Sequence, residues 1–186
     1  MDKFSIQNIQ NIISLENELE LEKATFLFLQ FRVLEKKDKS YKPHRNHLRK
    51  LIKAYEDAHW TNDDSITEDQ VRESDLAEAL VQAENEFIQK RKELIKNKLK
   101  AKGLNQNDLA KILGHRKGYT SELINGLRPF SKEDLVIINR LLKIKFEDLI
   151  PAFIRQERAS HIKKALKTMK NNKIRLSRKD IDLLMA

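Results

Sequence analysis

Apolar residues recur every three or four positions along most of the chain. This spacing predicts three helices in the first half, over residues 14–37, 44–59 and 67–102. The third helix is either continuous or broken near residues 73–76, and Thr67 stands where it would cap the helix start. We find no alternation of apolar and polar residues between turn pairs, which would indicate strands. The pattern therefore predicts an all-α fold, with a helical region at the N-terminus.

The second half carries shorter helical patterns separated by glycines. Gly103 ends the third helix, and Asn105 with Asp108 then forms a capping-box-like start. Gly114 allows the positive φ of a sharp turn before a helix over residues 117–124. Two short helices joined by such a turn predict a helix-turn-helix. Further helices over 131–142 and 146–154 complete a five-helix unit, whose predicted core contains Leu109, Ala110, Leu113, Leu123, Leu135, Ile138 and Leu141.

The C-terminal tail reads as a helical extension. It contains a basic amphipathic pattern around Ile162, Ala165, Leu166 and Met169, a turn at Asn171-Asn172, and a short capped helix from Ser177. Its lysines at 163, 164, 167 and 170 suit phosphate contacts, whereas Ile181, Leu184 and Met185 favour packing or dimerisation. We therefore divide the chain into residues 1–89, 90–154 and 155–186.

Composition argues against an enzyme. The 186 residues include no Cys, so the chain has neither disulfides nor thiolate metal ligands. Its four Gly lie at helix ends, in turns or in a short helix, and none builds a phosphate-binding loop. His44 and His47 have no carboxylate at metal-ligand spacing. We expect no catalytic residue, no metal and no cofactor.

Charge divides the chain more sharply than the net value of +9 suggests. Residues 1–89 hold 12 Lys and Arg against 18 Asp and Glu, a net charge of −6, whereas residues 90–186 hold 25 against 10, a net of +15. Such asymmetry favours two partners, one a polyanion, although Lys-rich faces can also serve solubility alone. The start lacks a signal-peptide pattern, and the most apolar stretch, 24–34, is too short to span a membrane. We expect a cytoplasmic protein without a membrane partner.

One stretch resembles a known class of DNA-binding domain. Residues 99–144 read LKAKGLNQNDLAKILGHRKGYTSELINGLRPFSKEDLVIINRLLKI, and their spacing is similar to that of the Xre/phage-repressor family, whose domain is lambda-repressor-like. The resemblance implies a repressor that binds double-stranded operator DNA as a homodimer, with the second helix of the motif in the major groove. The stretch departs from the family at Thr120, where an inward-packing aliphatic residue is usual.

The same resemblance assigns roles to eight residues. Lys117, Gly118 and Glu122 fall at base-reading positions, where Lys117 would donate to guanine and Glu122 would accept from cytosine. Arg116 and Tyr119 fall at the groove entrance, and Gln106 falls at a phosphate beside the first helix. Asn125 and Arg128 fall at the DNA backbone after the second helix.

A second resemblance concerns the partner of the acidic region. Residues 51–60, LIKAYEDAHW, and residues 121–131, SELINGLRPFS, are similar to segments of HigA-type antitoxins. That resemblance implies a basic RelE-like toxin ribonuclease as partner and repression of the chain's own operon; an acidic region suits capture of a basic protein.

Two other readings of the chain stay open. Gly118 and Glu122 also suit a protein-interaction module whose helix-turn-helix has lost DNA binding. A stand-alone regulator without a toxin is the third reading. Its N-terminal region would then sense a ligand near Phe26, Phe28 and Phe31, although core packing is the more usual role of such rings.

Overall fold

All regular structure in the described part of the chain is helical. The computed structural model describes residues 3–61, 66–151, 161–162, 164–166 and 168–169, and these contain no strand. The all-α prediction is thereby confirmed. Six helices are α1 (Glu18–Leu34), α2 (Lys42–His59), α3 (Glu68–Ala101), α4 (Gln106–Leu113), α5 (Lys117–Ile124) and α6 (Lys132–Leu142). Short 3₁₀ turns cover Ile9–Asn11, Lys39–Tyr41 and Phe146–Asp148.

The chain forms two compact units, residues 1–82 and 83–186. The boundary between them falls within α3, which is one continuous helix rather than two. Thr67 caps α3 as predicted, because its Oγ1 accepts a hydrogen bond from the backbone N–H of Gln70 at 3.2 Å. The predicted three-part division of the chain stays a prediction. Within the described residues, no helix is long and apolar enough to cross a membrane.

In the first unit, α1 and α2 start where local chemistry places them. α1 begins at Glu18, four residues later than predicted, because the Asn17 side chain caps it by accepting from the Glu20 N–H at 3.0 Å. α2 begins at Lys42, slightly before the predicted start, with Pro43 in its first turn. A proline is tolerated there because its missing N–H would have no helical partner.

Glu18 is a buried carboxylate that takes part in the core of the first unit. Glu18 is 2% exposed, and its Oε1 accepts from the Tyr55 hydroxyl at 3.0 Å and from the Trp60 indole N–H at 3.1 Å. Burial, followed by this hydrogen bond, raises the pKa of Tyr55 above its usual range. Phe31 is fully buried and stacks on Tyr41 with the ring centroids 5.6 Å apart. The Glu18 carboxylate therefore joins α1 to the end of α2.

The second unit packs α4, α5 and α6 with the end of α3 around one apolar core. Six of the seven predicted core residues belong to it, with Leu135 and Leu141 half-buried at its edge, and the seventh, Ala110, is also buried. The last predicted helix, 146–154, appears as the 3₁₀ turn Phe146–Asp148, while residues 152–154 lie outside the described residues. In the tail, residues 161–162, 164–166 and 168 are helical as predicted. Lys163, Lys167, Lys170 and the predicted turn and short helix after them lie outside the described residues.

Arg91 is a buried cation in this second core. Its side chain donates to the carbonyl of Leu149 at 3.2 Å, and its guanidinium carbon lies 5.6 Å from the Phe87 ring and 5.2 Å from the Phe130 ring. Burial lowers the pKa of Arg91 to about 10. Arg91 therefore remains charged at neutral pH and links α3 to the residues after α6.

Candidate functional site

The helix-turn-helix begins with a complete capping box at α4. The Asn105 side-chain oxygen accepts from the N–H groups of Asn107 and Asp108, at 2.8 and 3.3 Å, and an Asp108 carboxylate oxygen accepts from the Asn105 N–H at 2.9 Å. The predicted start is thereby confirmed. Gln106 is the first residue of α4 and is half-buried. Since α4 has only eight residues, its ends depend on such hydrogen bonds.

A left-handed glycine makes the turn between α4 and α5. Gly114 has a φ of 70°, and the His115 N–H bonds to the Ala110 carbonyl at 2.9 Å, which closes the end of α4. The His115 ring then reaches α6, where its Nε2 lies 2.9 Å from Oδ1 of the buried Asp134. The other carboxylate oxygen of Asp134 accepts from the Ser131 N–H at 3.1 Å. The turn is therefore attached to the cap of α6.

The inner face of α5 packs into the core. Thr120, Leu123 and Ile124 are all buried. Thr120 points inward, as an aliphatic residue would at this position, and its hydroxyl donates to the Arg116 carbonyl at 3.3 Å. That hydrogen bond satisfies a polar group that would otherwise be costly to bury. The departure at Thr120 therefore leaves the inward packing of α5 intact.

The start of α5 presents positive charge to solvent. Arg116 occupies the N-cap position, Lys117 and Gly118 follow it, and all three are exposed. Neither cation forms an ion pair with a described residue. A Cβ added at Gly118 would meet no atom within 4 Å, so packing within the chain does not require glycine there. This end of the helix is open to a ligand.

Arg128, just after α5, contacts two other predicted site residues on that helix, Tyr119 and Glu122. Nε of Arg128 donates to Oε2 of Glu122, and the Arg128 guanidinium carbon lies 5.1 Å from the centroid of the Tyr119 ring. The side chains of Glu122 and Arg128 are each 18% exposed. We refer to these three residues as the Tyr119–Glu122–Arg128 cluster.

The chain leaves α5 through a second left-handed glycine. Asn125 ends the helix and donates from Nδ2 to the Ser121 carbonyl at 2.8 Å. Gly126 has a φ of 76°, and a Cβ at this position would lie 2.9 Å from side-chain atoms of Ile88. Both its conformation and its close approach to α3 therefore require glycine.

Sequence reasoning did not anticipate the contacts that support the motif. His115 and Asp134 stand 19 positions apart, and Asp134 was recognisable only as part of a capping box. The His115 ring also meets the Tyr119 ring edge to face, with the centroids 4.9 Å apart. No periodicity or motif marks such pairs, because they depend on how α4, α5 and α6 pack.

The described residues contain no group of three or more His, Asp or Glu side chains that could hold a metal ion.

In a comparison with known protein families, residues 95–149 fit the model of a helix-turn-helix family. The match supports a DNA-binding regulator and covers the predicted motif. No curated protein and no solved structure matches the chain. The resemblance to HigA-type antitoxins therefore stays a prediction.

Proposed function

We propose that this chain is a sequence-specific DNA-binding transcriptional repressor, on the premise that residues 95–149 form a helix-turn-helix domain. The observation that carries the proposal is the exposed, basic start of α5, where Arg116 and Lys117 are unpaired among the described residues. In this motif the N-terminal residues of the second helix meet the base edges of the major groove. Lys117 then donates to guanine, while Arg116 attracts phosphates.

Binding to the chain's own promoter tests this proposal. Fluorescence anisotropy with promoter and scrambled duplexes, over a range of salt concentrations, is expected to show tighter binding to the promoter and affinity that falls as salt rises. Lys117→Ala is expected to cost about 1–3 kcal/mol on the promoter and to relax sequence preference. Equal losses on both duplexes would contradict base reading by Lys117.

The finer proposal is that the repressor is the antitoxin of a HigBA-like module. It acts in the cytoplasm as a homodimer, neutralises a RelE-like toxin ribonuclease and represses its own operon. Its support is the acidic N-terminal region, with a net charge of −6 over residues 1–89, because a basic ribonuclease is electrostatically complementary to such a region. The DNA-contact roles that the resemblance implies for the eight site residues belong to the proposal of DNA binding and do not depend on a toxin.

A pull-down of the full chain from its native host tests the partner. A small basic ribonuclease is the expected prey, and its activity is expected to fall when the chain is added. Absence of any such protein, together with no small open reading frame beside the gene, would remove the antitoxin assignment. It would leave the proposal of DNA binding untouched, since that depends on the second unit.

A further inference from the structure

The ion pair at the end of α5 gives Glu122 a role other than reading a base. We infer that Glu122 is a positioning residue, which holds Arg128 so that its terminal guanidinium nitrogens meet a DNA phosphate. This inference rests on the proposed DNA-binding function and refines it. Oε2 of Glu122 accepts from Nε of Arg128, and the Glu122 side chain is only 18% exposed, so this carboxylate is bound within the chain rather than extended into solvent.

The contacts of Arg128 leave one edge of its guanidinium available. Nε is bonded to Glu122, and one face of the group lies over the Tyr119 ring at 5.1 Å. Guanidinium carries five N–H donors in a planar fork. Four of them belong to the two terminal nitrogens, which make no hydrogen bond to any described residue. A guanidinium held at Nε, with its two terminal nitrogens unbonded, suits bidentate binding of phosphate.

The backbone turn after α5 fixes the position of Arg128 beside Glu122. The Leu127 N–H bonds to the Glu122 carbonyl at 2.9 Å, so the chain turns back beside the last turn of α5. Gly126 makes this turn in the left-handed conformation and lies against Ile88. Arg128 therefore emerges next to Glu122 because of the turn, and not through a flexible loop.

The aromatic side of the cluster is also anchored. Tyr119 packs edge to face on His115, at 4.9 Å between centroids, and His115 is bonded to the buried Asp134 at 2.9 Å. The surface under Arg128 is thus connected to α6. Arginine loses much rotamer freedom when it binds a phosphate, and a side chain already held on two sides has less left to lose. The cluster therefore pre-organises Arg128 for its contact.

A double-mutant cycle tests this role in the full chain. Binding of wild type, Glu122→Ala, Arg128→Ala and the double variant is measured on promoter and scrambled duplexes by fluorescence anisotropy. Arg128→Ala is expected to weaken binding roughly tenfold on both duplexes, as for loss of a charged hydrogen bond. Glu122→Ala is expected to weaken both several-fold, and to add nothing when Arg128 is already Ala. If Glu122→Ala instead damaged the fold in general, it would weaken binding both with Arg and with Ala at position 128.

Two further variants separate the geometry from the charge. Glu122→Gln keeps an oxygen that accepts from Nε, so it is expected to bind within roughly twofold of wild type. Glu133→Ala removes one negative charge from an exposed position in the first turn of α6 and is expected to leave both affinities unchanged or slightly tighter.

Glu122→Met keeps the side-chain length without the acceptor and replaces Glu122→Ala if thermal unfolding shows that the alanine variant is not folded.

Other outcomes would overturn the inference. Tighter binding by Glu122→Ala would mean that the ion pair competes with phosphate for Arg128. Loss confined to the promoter, and retained when Arg128 is Ala, would mean that Glu122 reads a base. A wild-type chain that binds neither duplex would instead refute the proposed function, so the two failures are distinguishable.

Discussion

Gly118 and Gly126 stand at opposite ends of α5, and different physical conditions apply to them. Gly118 has ordinary helical geometry with open space around it, whereas Gly126 has a φ of 76° and lies against Ile88. Glycine in a helix interior costs conformational entropy compared with alanine. At Gly118 no described residue lies close enough to require glycine.

Alanine substitutions are therefore expected to act in opposite directions. Gly118→Ala should raise the free energy of unfolding by about 1 kcal/mol, because it improves helix propensity. Gly126→Ala should lower it by at least about 1–2 kcal/mol, because a Cβ is strained in the left-handed region and also collides with Ile88. Urea unfolding of both variants measures the difference. A destabilising effect of Gly118→Ala would show that its space is not open in solution.

Tyr55 makes stability depend on pH at the alkaline end. Its hydroxyl donates to the buried Glu18, and burial together with this bond raises the Tyr55 pKa above its unfolded value of about 10. The folded state therefore holds the proton more tightly than the unfolded state. The resulting stabilisation is complete below about pH 10 and is lost as the pH rises beyond that value.

Tyr55→Phe should remove this dependence. At neutral pH the variant is expected to lose about 1.5–3 kcal/mol of unfolding free energy, because the hydroxyl bonds to a buried carboxylate. The difference between wild type and variant should then shrink as the pH rises above about 10. Denaturant unfolding at several pH values measures it, with Tyr119→Phe as a control, because Tyr119 is 38% exposed. A constant difference across the range would contradict the linkage.

The short helices of the second unit depend on their caps. α4 and α5 have eight residues each, fewer than an isolated helix needs to be stable in water. Asn105 and Ser131 each form a full capping box, with Asp108 and Asp134 respectively. Both boxes are visible in the sequence as a capping residue followed three positions later by an acidic one. Such local signals explain why the starts of α4 and α6 are predictable, whereas α5 begins without a side-chain cap.

Asn105→Ala tests the cap of α4. It is expected to lower the unfolding free energy by about 1 kcal/mol, since two backbone N–H groups lose their acceptor. Asn107→Ala, two positions on, is the matched control: Asn107 is exposed, and its backbone N–H rather than its side chain takes part in the cap. Chemical denaturation compares the two. Equal effects would show that the cap contributes nothing specific.

Helix boundaries were less predictable than helix identities. α1 begins at Glu18 rather than near residue 14, because Asn17 caps it and the residues before it are extended. Apolar spacing could not reveal this, since Ile12 and Leu15 are buried in a non-helical segment. The last predicted helix similarly became a 3₁₀ turn whose Leu149 is buried. Apolar residues mark what is buried, whereas caps decide where a helix starts.

At the scale of the whole molecule, charge follows the two compact units. Residues 1–82 hold 12 basic and 16 acidic residues, a net charge of −4, and residues 83–186 hold 25 and 12, a net of +13. The asymmetry predicted from the sequence thus survives a division defined by contacts. The helix-turn-helix lies in the basic unit, whose positive charge favours attraction of a polyanion.

A homodimeric repressor is expected to bind two half-sites in its operator. Footprinting on the promoter is expected to show two half-sites whose centres are about 10 base pairs apart or a multiple of that, because the two recognition helices face the same side of the duplex. Sedimentation of the complex should give two chains per duplex. One chain on one protected half-site would contradict the dimer while leaving monomeric DNA binding intact.

The sequence by itself determined the all-α class, the helix-turn-helix, its turn at Gly114, the caps of α3 and α4, and the opposite charges of the two regions. These features arise from residues within a few positions of one another, or from composition. Only the tertiary structure decided that Glu122 pairs with Arg128, that His115 meets Asp134, and that Arg91 bonds to Leu149. Such contacts depend on how the helices and turns pack, and two of them join residues far apart in the chain. No local pattern encodes that packing, so the arrangement of the site appears only in the folded chain.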